Sequence, residues 1–412
     1  MMDATPLVGI DLGSHAVRVV VARPGEEGLE ILGCGQARHG GSPKGVVADL
    51  EEVSRAVRLA AEEAEAMASV PVERAVVGLG GPPVVGWRAS APVVVEGTGG
   101  RVSAEDRDAA LDRCQRFNRP PDYRVLAVIP TGFVLDGQGG IRDPLGLPAS
   151  RLTAHAYVVH THRAHWDAVH QAVYSAGIEI EAVYFEPLAA AEAVLTEDER
   201  ELGCLLLDVG KGTTEWILFH EGVVVAAGCT PVAGRHFTSD LAALLQTPSR
   251  AAERIKCSVG LCRAEEGSDR AVEVPPLGGD AVRVYPASAV GEILKARARE
   301  LLVEVHRPLR RDELEAIPRA GVVLTGGGSR LDGLVDLAEE ILGHRVRGGT
   351  PRALAGLAEA VRGEEWAVAC GLVRLHSRQG ANGTRKPASA PDRIRAWVRK
   401  TFGEIFEMGG GS

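Results

Sequence analysis

The chain is poor in aromatic residues and has no long apolar run. Aromatic residues make up 4% of its 412 residues although 45% are hydrophobic, so the core must be built mainly from Val, Leu, Ile and Ala. No apolar run approaches the roughly 18 residues of a membrane-spanning helix. The first residues, MMDATPLV, lack the basic and then apolar pattern of a signal peptide. We therefore expect a protein that is neither exported nor membrane-spanning.

The chain also lacks a C-x-x-C cysteine pair and an excess of positive charge. The seven cysteines are scattered and form no C-x-x-C pair, which indicates reduced thiols in a cytosolic protein. The formal net charge is −9, whereas nucleic-acid binding depends on neutralising phosphates with Lys and Arg. We therefore expect no nucleic-acid partner.

What the chain does have is glycine placed directly after apolar strands. The segments VGIDLGSHAVRVVVA (8–22) and CLLLDVGKGTTEWILF (204–219) each put an Asp near a strand end and small residues in the following turn. Such a turn lets backbone N–H groups point at phosphate oxygens, and Asp11 and Asp208 can hold hydrated Mg²⁺ beside them. We predict two hairpins that face each other and clamp one nucleotide.

A further Gly-rich strand end extends this duplication. VVLTGGGSRLDGL (322–334) in the second half has a weaker counterpart, VVGLGG (76–81), in the first half. The matching order predicts two related subdomains. A chain of this length also exceeds what one hydrophobic core usually supports. Pattern and composition predict the following division: a first lobe at 1–82 and 158–202, an inserted α+β module at 83–157, a second lobe at 203–248 and 311–375 with its own insertion at 249–310, and a linker at 376–391.

The segment after this linker, DRIRAWVRKTFGEIFEM (392–408), predicts an amphipathic helix. Arg and Lys flank its apolar face, which is typical of a helix that lies in a membrane interface. The alternative is a terminal helix that docks on the protein core. The predicted membrane-facing residues are Ile394, Trp397, Val398, Phe402, Ile405 and Phe406.

These motifs together resemble the FtsA family of bacterial cell-division proteins, within the actin/Hsp70/sugar-kinase superfamily. DGQGGIRDPLGL and EPLAAAEAVLTEDERELG are not general phosphate motifs of the superfamily and favour FtsA. The related pilus-assembly ATPase PilM is an alternative, but it is not expected to have the amphipathic tail. An active phosphotransferase on the same fold, as in sugar kinases, is another.

The resemblance implies an α/β, actin-like two-lobed fold of duplicated RNase H-like subdomains, called 1A and 2A, with insertion 1C at 83–157 and subdomain 2B at 249–310. It implies a protein that binds ATP and Mg²⁺ and polymerises head to tail on the cytoplasmic face of the inner membrane, at the division septum. Its implied partners are the C-terminal peptide of the tubulin-like protein FtsZ, other copies of itself, later division proteins and anionic lipid.

The resemblance also implies residue roles. Glu253 and Lys256 resemble residues that contact the ribose, although a solvated surface pair is the alternative. The glycine turn of the second half would let the backbone approach adenine and ribose. The implied nucleotide contacts are Asp11, Gly13 and Ser14 in the first loop, Asp208, Gly210, Lys211, Gly212, Thr213 and Thr214 in the second, Glu253 and Lys256, and Gly326, Gly327 and Gly328.

Three departures from the family pattern affect the phosphate site. Ala16 stands where the family usually has a lysine that meets the β-phosphate, and Lys211 interrupts a glycine triplet. We predict slow or absent ATP turnover, with Lys211 either replacing the lost lysine or facing solvent. Thr131 stands where many relatives have Gln, a candidate for orienting water.

The segment EILKARAREL resembles the family helix that receives the FtsZ peptide. Arg297 is the residue expected to bind an acidic group of that peptide, since a guanidinium can grip a carboxylate with two hydrogen bonds. A plain solvated helix face is the alternative.

Overall fold

The computed structural model describes residues 6–25, 28–116, 120–261, 270–278 and 281–380. The chain opens with a meander of three antiparallel strands, followed by a helix and a parallel strand that pairs with the first. The helix begins where the Asp49 side chain accepts a hydrogen bond from the N–H of Glu52. Its apolar face, which includes Val53 and Val57, is fully buried. These elements are β1 (Leu7–Leu12), β2 (Ala16–Gly25), β3 (Gly28–Arg38), α1 (Leu50–Ala68) and β4 (Arg74–Leu79).

An inserted module with its own hydrophobic core follows β4. It is an antiparallel sheet of order β5-β8-β6-β7 with one helix packed on it, and Leu111, Phe133 and Leu152 lie at the centre of its core. The last strand continues five residues beyond the end predicted for the module. The elements are β5 (Val84–Val94), α2 (Ala104–Arg116), β6 (Tyr123–Leu135), β7 (Gln138–Ile141) and β8 (Arg151–His162).

The chain then returns to the first lobe. A helix leads into a strand that pairs in parallel with β4, and two short helices follow. The second of these begins with a capping box in which Thr196 and Glu199 exchange hydrogen bonds. The elements are α3 (Arg163–Ser175), β9 (Glu179–Phe185), α4 (Glu186–Val194) and α5 (Glu197–Leu202).

The second lobe repeats the meander and adds a larger helical insertion. The insertion carries a two-stranded hairpin before its long helix. The elements are β10 (Cys204–Val209), β11 (Thr214–His220), β12 (Val223–Thr230), α6 (Gly234–Leu244), α7 (Ser249–Val259), β13 (Ala271–Val274), β14 (Arg283–Pro286), α8 (Ala287–Arg311), β15 (Gly321–Thr325), α9 (Leu334–Leu342) and β16 (Val346–Gly348).

The last described elements, β17 (Leu354–Gly356) and α10 (Ala367–Gly380), belong to the first lobe. β17 pairs in parallel with β3, and α10 packs on α4 and β1. The second-lobe range predicted from the sequence, 311–375, therefore extends past the residues that pair with the second sheet. α10 also continues into the predicted linker. The remainder of that linker and the predicted membrane helix at 392–408 lie outside the described residues.

The strand orders of the two lobes confirm the predicted duplication. The first sheet reads β17-β3-β2-β1-β4-β9, and the second reads β12-β11-β10-β15-β16. Apart from the added β17, each strand of one sheet has a counterpart in the other. The predicted α/β two-lobed fold is confirmed, and the two hairpins occupy equivalent positions in the two sheets. Among the described helices, none is long and apolar enough to cross a membrane.

Candidate nucleotide cleft

A cavity of about 530 Å³ lies between the two hairpins, within the range of pockets that hold a small ligand. The glycine turn after β15 and one face of α7 complete its walls. The structure brings together almost every residue for which a nucleotide contact is predicted. Those lining the cavity are Asp11, Gly13, Ser14, Asp208, Gly210, Lys211, Gly212, Thr213, Glu253, Lys256, Gly326, Gly327 and Gly328.

The turns of the two hairpins meet at the cleft. Gly212 lies so close to the first turn that a Cβ at this position would collide with the Ser14 hydroxyl. That hydroxyl accepts a hydrogen bond of 2.9 Å from the N–H of Gly45. At the rim, Lys211 Nζ lies 3.2 Å from His15 Nδ1. Burial, with help from the nearby Lys211 cation, lowers the pKa of His15 to about 4, so at neutral pH its ring is neutral and can accept from the lysine.

Thr214 is the predicted contact that the structure directs elsewhere. Its side chain is fully buried, and its hydroxyl donates to the carbonyl of Val232 at 2.8 Å. It does not line the cavity. Thr214 therefore fixes the second hairpin against the chain after β12, and the neighbouring Thr213 is the threonine that faces the cleft.

The glycine turn after β15 lies tightly against the second hairpin. Gly326 has a φ of +80°, and a Cβ there would collide with the Asp208 carboxylate. A Cβ on Gly328 would lie 2.7 Å from the carbonyl oxygen of Val209. A larger residue at either position would displace the second hairpin, which is why the turn consists of glycines.

Glu253 and Lys256 form an ordered pair in the cavity wall. Lys256 Nζ lies 2.8 Å from both carboxylate oxygens of Glu253 and 3.1 Å from the hydroxyl of Thr238. Burial acts to raise the pKa of Glu253, but hydrogen bonds from Lys256 and Thr238 hold it below its usual value. The pair is partly buried: 13% of the Lys256 side chain and 40% of the Glu253 side chain are exposed.

Seven carboxyl groups line the cavity, and four of them belong to or lie beside the two hairpins: Asp11, Glu186, Asp208 and Glu215. Glu186 begins α4, and Glu215 accepts a hydrogen bond from the N–H of Gly81. A Cβ on Gly80 would collide with both glutamate carboxylates, so the glycines after β4 make room for them.

Burial and mutual repulsion change the acidity of these groups. Burial, reinforced by Glu215 and Asp11, raises the pKa of Asp208 to about 8. Burial raises the pKa of Glu215 to about 7, and burial together with the charge of Glu215 raises the pKa of Glu186 well above its usual value. A cation bound here would relieve the repulsion. Within the described ranges, no group of three or more His, Cys, Asp or Glu side chains is placed to hold a metal ion.

Arg18 is the basic residue beside these acids. Its Nη1 lies 3.6 Å from Asp11 Oδ2, its Nε donates to Gln36 Oε1 at 3.0 Å, and it is 9% exposed. Burial raises the pKa of Asp11 to about 6, while the charge of Arg18 and its hydrogen bond oppose the increase.

Sequence reasoning missed Arg18, Glu186 and Glu215. Arg18 and Glu215 follow their hairpin turns on strands whose alternation points them at the cleft, and that alternation was the available signal. Thr131 lies on β6 of the inserted module and does not line the cavity. Glu186, unlike Thr131, lines the cavity.

Arg297 already has acidic partners within the chain. Its Nε and Nη2 donate to the two oxygens of Asp240 at 2.6 and 2.9 Å, and its Nη1 donates to Glu300. The pair with Asp240 ties α8 to α6. An acidic peptide would have to compete with Asp240 for this guanidinium.

Two duplicated α/β lobes around a glycine-walled cleft define the class of actin-like proteins. Solved structures agree on the fold. The PilM-PilN type IV pilus biogenesis complex aligns with a TM-score of 0.67 at 20% identity, covering 90% of this chain and 98% of that chain. MreB5 of Spiroplasma citri bound to ADP aligns with a TM-score of 0.56 at 15% identity, covering 92% and 99%.

Sequence comparison identifies the family within this class. The family model described as "Cell division protein FtsA" matches residues 205–371, and "SHS2 domain inserted in FTSA" matches residues 87–160. Cell division protein FtsA of Pseudomonas aeruginosa is 33% identical, covering 96% of this chain and 98% of that protein. FtsA of Escherichia coli is 30% identical, covering 97% and 99%. The chain belongs to the FtsA family, and the predicted resemblance is confirmed.

Proposed function

We propose that the cleft binds ATP with Mg²⁺, and that ATP holds the two lobes together rather than serving mainly as fuel. The observation that carries this proposal is that both hairpin turns and the glycine turn after β15 line the same cavity. Glycine-rich turns present backbone N–H groups to phosphate oxygens without side-chain obstruction. The MreB5 structures of similar fold are described as bound to ADP and to AMPPNP, which supports the same use of this cleft.

The residues divide into a phosphate end and a nucleoside end. The hairpin turns would receive the phosphates, and Asp11 and Asp208 would hold Mg²⁺ through water. When bound, Mg²⁺ supplies positive charge against the phosphate oxygens. The turn at Gly326 and the Glu253–Lys256 pair would receive the adenine and ribose. We expect ATP turnover to be slow or absent.

We further propose that the ATP-loaded protein is a scaffold for cell division. It would polymerise head to tail on the cytoplasmic face of the inner membrane at the septum, tether FtsZ filaments and recruit later division proteins. The FtsA family membership of the chain supports this role. The composition of 392–408 supports peripheral attachment to anionic lipid, because Arg and Lys flank its Trp and Phe residues.

Calorimetry tests nucleotide binding. The Asp11→Ala/Asp208→Ala variant should lose most Mg²⁺-dependent ATP affinity. Asp198→Ala, which removes an exposed aspartate of α5, is the matched control and should bind as the parent does. Unchanged ATP affinity in the double variant would refute the assignment of the cleft.

Electron microscopy on lipid monolayers tests the scaffold. With ATP, the full chain should form filaments on anionic lipid, and a chain without its last 20 residues should leave the lipid bare. The truncated chain must still bind ATP in calorimetry, which separates loss of anchoring from loss of folding. Filaments of the truncated chain on the monolayer would show that the tail is not the anchor.

A further inference from the structure

We propose that Arg18 is the cation that contacts the phosphates inside the cleft. This inference rests on the proposed binding of ATP there. A polyphosphate would enter a cavity that is lined by seven carboxyl groups, so an internal positive charge is needed besides the ion that accompanies it.

The cavity wall offers several cations, and their surroundings separate them. Lys256 is held by Glu253 and Thr238 at the nucleoside end. Arg330 pairs with Glu365, and 61% of its side chain is exposed. Lys211 stands at the exposed tip of the second turn, and Arg38 at the end of β3 is also exposed. Among the cavity-lining cations, Arg18 is the one buried next to both an aspartate and the first phosphate turn.

The guanidinium of Arg18 is held in one orientation. Its Nε is fixed by Gln36, and its centre lies 5.8 Å from the ring centroid of Trp366. A Cβ placed on Gly13 would lie 3.6 Å from Nη1 of Arg18. The Nη edge therefore sits beside the turn whose N–H groups would receive a phosphate, and a planar guanidinium suits that ligand.

The strand also explains how an arginine can serve at this position. Ala16 and Arg18 lie two residues apart on β2, so their side chains point to the same face. Arg18 therefore projects from the same face of β2 as Ala16, and the small side chain of Ala16 leaves room there for the arginine. The lysine missing at 16 is therefore no evidence that the phosphate site lacks an internal cation.

Calorimetry with ATP and with adenosine tests the proposal, each measured with Mg²⁺ and again in EDTA. Arg18→Met should weaken ATP binding by about 10- to 100-fold, the range for a hydrogen bond to a charged group, and leave adenosine binding unchanged. Lys211→Met is the comparison variant and should lose less. Arg18→Lys should bind ATP more tightly than Arg18→Met but less tightly than the parent, because lysine restores the positive charge without the paired N–H donors of the guanidinium.

The separate measurements distinguish the ways of failing. If the parent does not bind ATP, the proposed function fails. If the parent binds ATP and Arg18→Met binds it equally well, or loses ATP and adenosine together, the role of Arg18 is wrong. A loss that disappears in EDTA would mean that Arg18 only keeps Asp11 ionised for Mg²⁺, and would also overturn direct contact. A larger loss in Lys211→Met would assign the contact to Lys211.

Discussion

The two hairpins at the cleft, β1–β2 and β10–β11, have the same backbone arrangement. They differ in the residue that is paired with their aspartate. In the first hairpin Asp11 is paired across the strands with Arg18, and in the second Asp208 is paired with Glu215. The strand order around the two hairpins is the same. The duplicated fold therefore places a cation at one position and an anion at its counterpart.

This difference contributes to the different acidity of the two aspartates. Asp11 is buried and Asp208 is half-buried, yet the pKa of Asp11 rises only to about 6, because Arg18 opposes the effect of burial. The pKa of Asp208 rises to about 8, because Glu215 adds to it. The first hairpin supplies its own counter-charge, whereas the residue paired with the aspartate of the second hairpin is an acid. Duplication of the fold thus gives a clamp whose two halves have different electrostatic roles.

The largest expected effect concerns Mg²⁺. At pH 9, above the folded pKa values of about 6 for Asp11 and about 8 for Asp208, both groups are ionised. There Asp208→Asn should weaken Mg²⁺-dependent ATP binding by about 100-fold and Asp11→Asn by about 10-fold, since charged contacts contribute about 1.5–3 kcal/mol and Asp11 is already partly neutralised by Arg18. Titrations of ATP with and without Mg²⁺ measure the difference. Equal losses in the two variants would contradict the asymmetry.

A second prediction concerns stability without nucleotide. Both aspartates have a folded pKa above the usual 3.8, so between that value and the folded pKa the native state binds more protons than the unfolded state. The free energy of unfolding should therefore be highest at low pH within this range and fall as the pH rises, through about 6 for Asp11 and about 8 for Asp208.

Urea unfolding between pH 5 and pH 9 measures this dependence. Asp208→Asn should remove at least about 1 kcal/mol of the decrease between pH 6 and pH 8, and Asp11→Asn should act mainly below pH 6.5. If the parent becomes more stable as the pH rises through this range, the raised pKa values are wrong.

A third prediction tests the anion at the second hairpin. Glu215→Gln keeps an acceptor for the N–H of Gly81 but removes a charge that repels both Asp208 and phosphate. ATP affinity without Mg²⁺ should rise by about threefold to tenfold, since a change of about 1 kcal/mol is of that order. Glu186→Gln is the matched control. The pKa of Glu186 is raised well above its usual value by burial and by Glu215, so this change removes little charge and should have little effect. Similar gains in both variants would contradict the assignment of charge.

The backbone of this site could be predicted from the sequence because its turns are local. Asp followed by glycines at the end of an apolar strand determines a turn within a few residues, and the structure places Asp11, Asp208 and Gly326 around one cavity as expected. Repetition of the pattern also gave the duplicated fold.

The side chains that face one another across the cleft could not be predicted from local sequence in the same way. Arg18 and Glu215 acquire their roles from strand register, and Glu186 from the packing of α4 beneath the cleft. Thr214 lies in the predicted loop, yet its hydroxyl is taken by Val232. The return of α10 to the first lobe depends on contacts with α4, which periodicity along α10 does not reveal.

The smallest expected effect is at Lys211, the one cation in the second turn. Its Nζ contacts a neutral His15 across the junction of the two turns, and its exposed position leaves water and salt to screen its charge. Lys211→Gly restores a glycine triplet and should change ATP affinity by about threefold or less, in keeping with the small energies of exposed charges. The salt dependence of ATP binding should become slightly shallower, since one long-range attraction is removed. ATP titrations of parent and variant at 50 mM and 300 mM salt measure both quantities, with Lys211→Arg as the variant that retains charge. A loss of tenfold or more at low salt, rescued by Lys211→Arg, would mean that the second hairpin carries its own phosphate cation, and the contrast with the Arg18 hairpin would no longer hold.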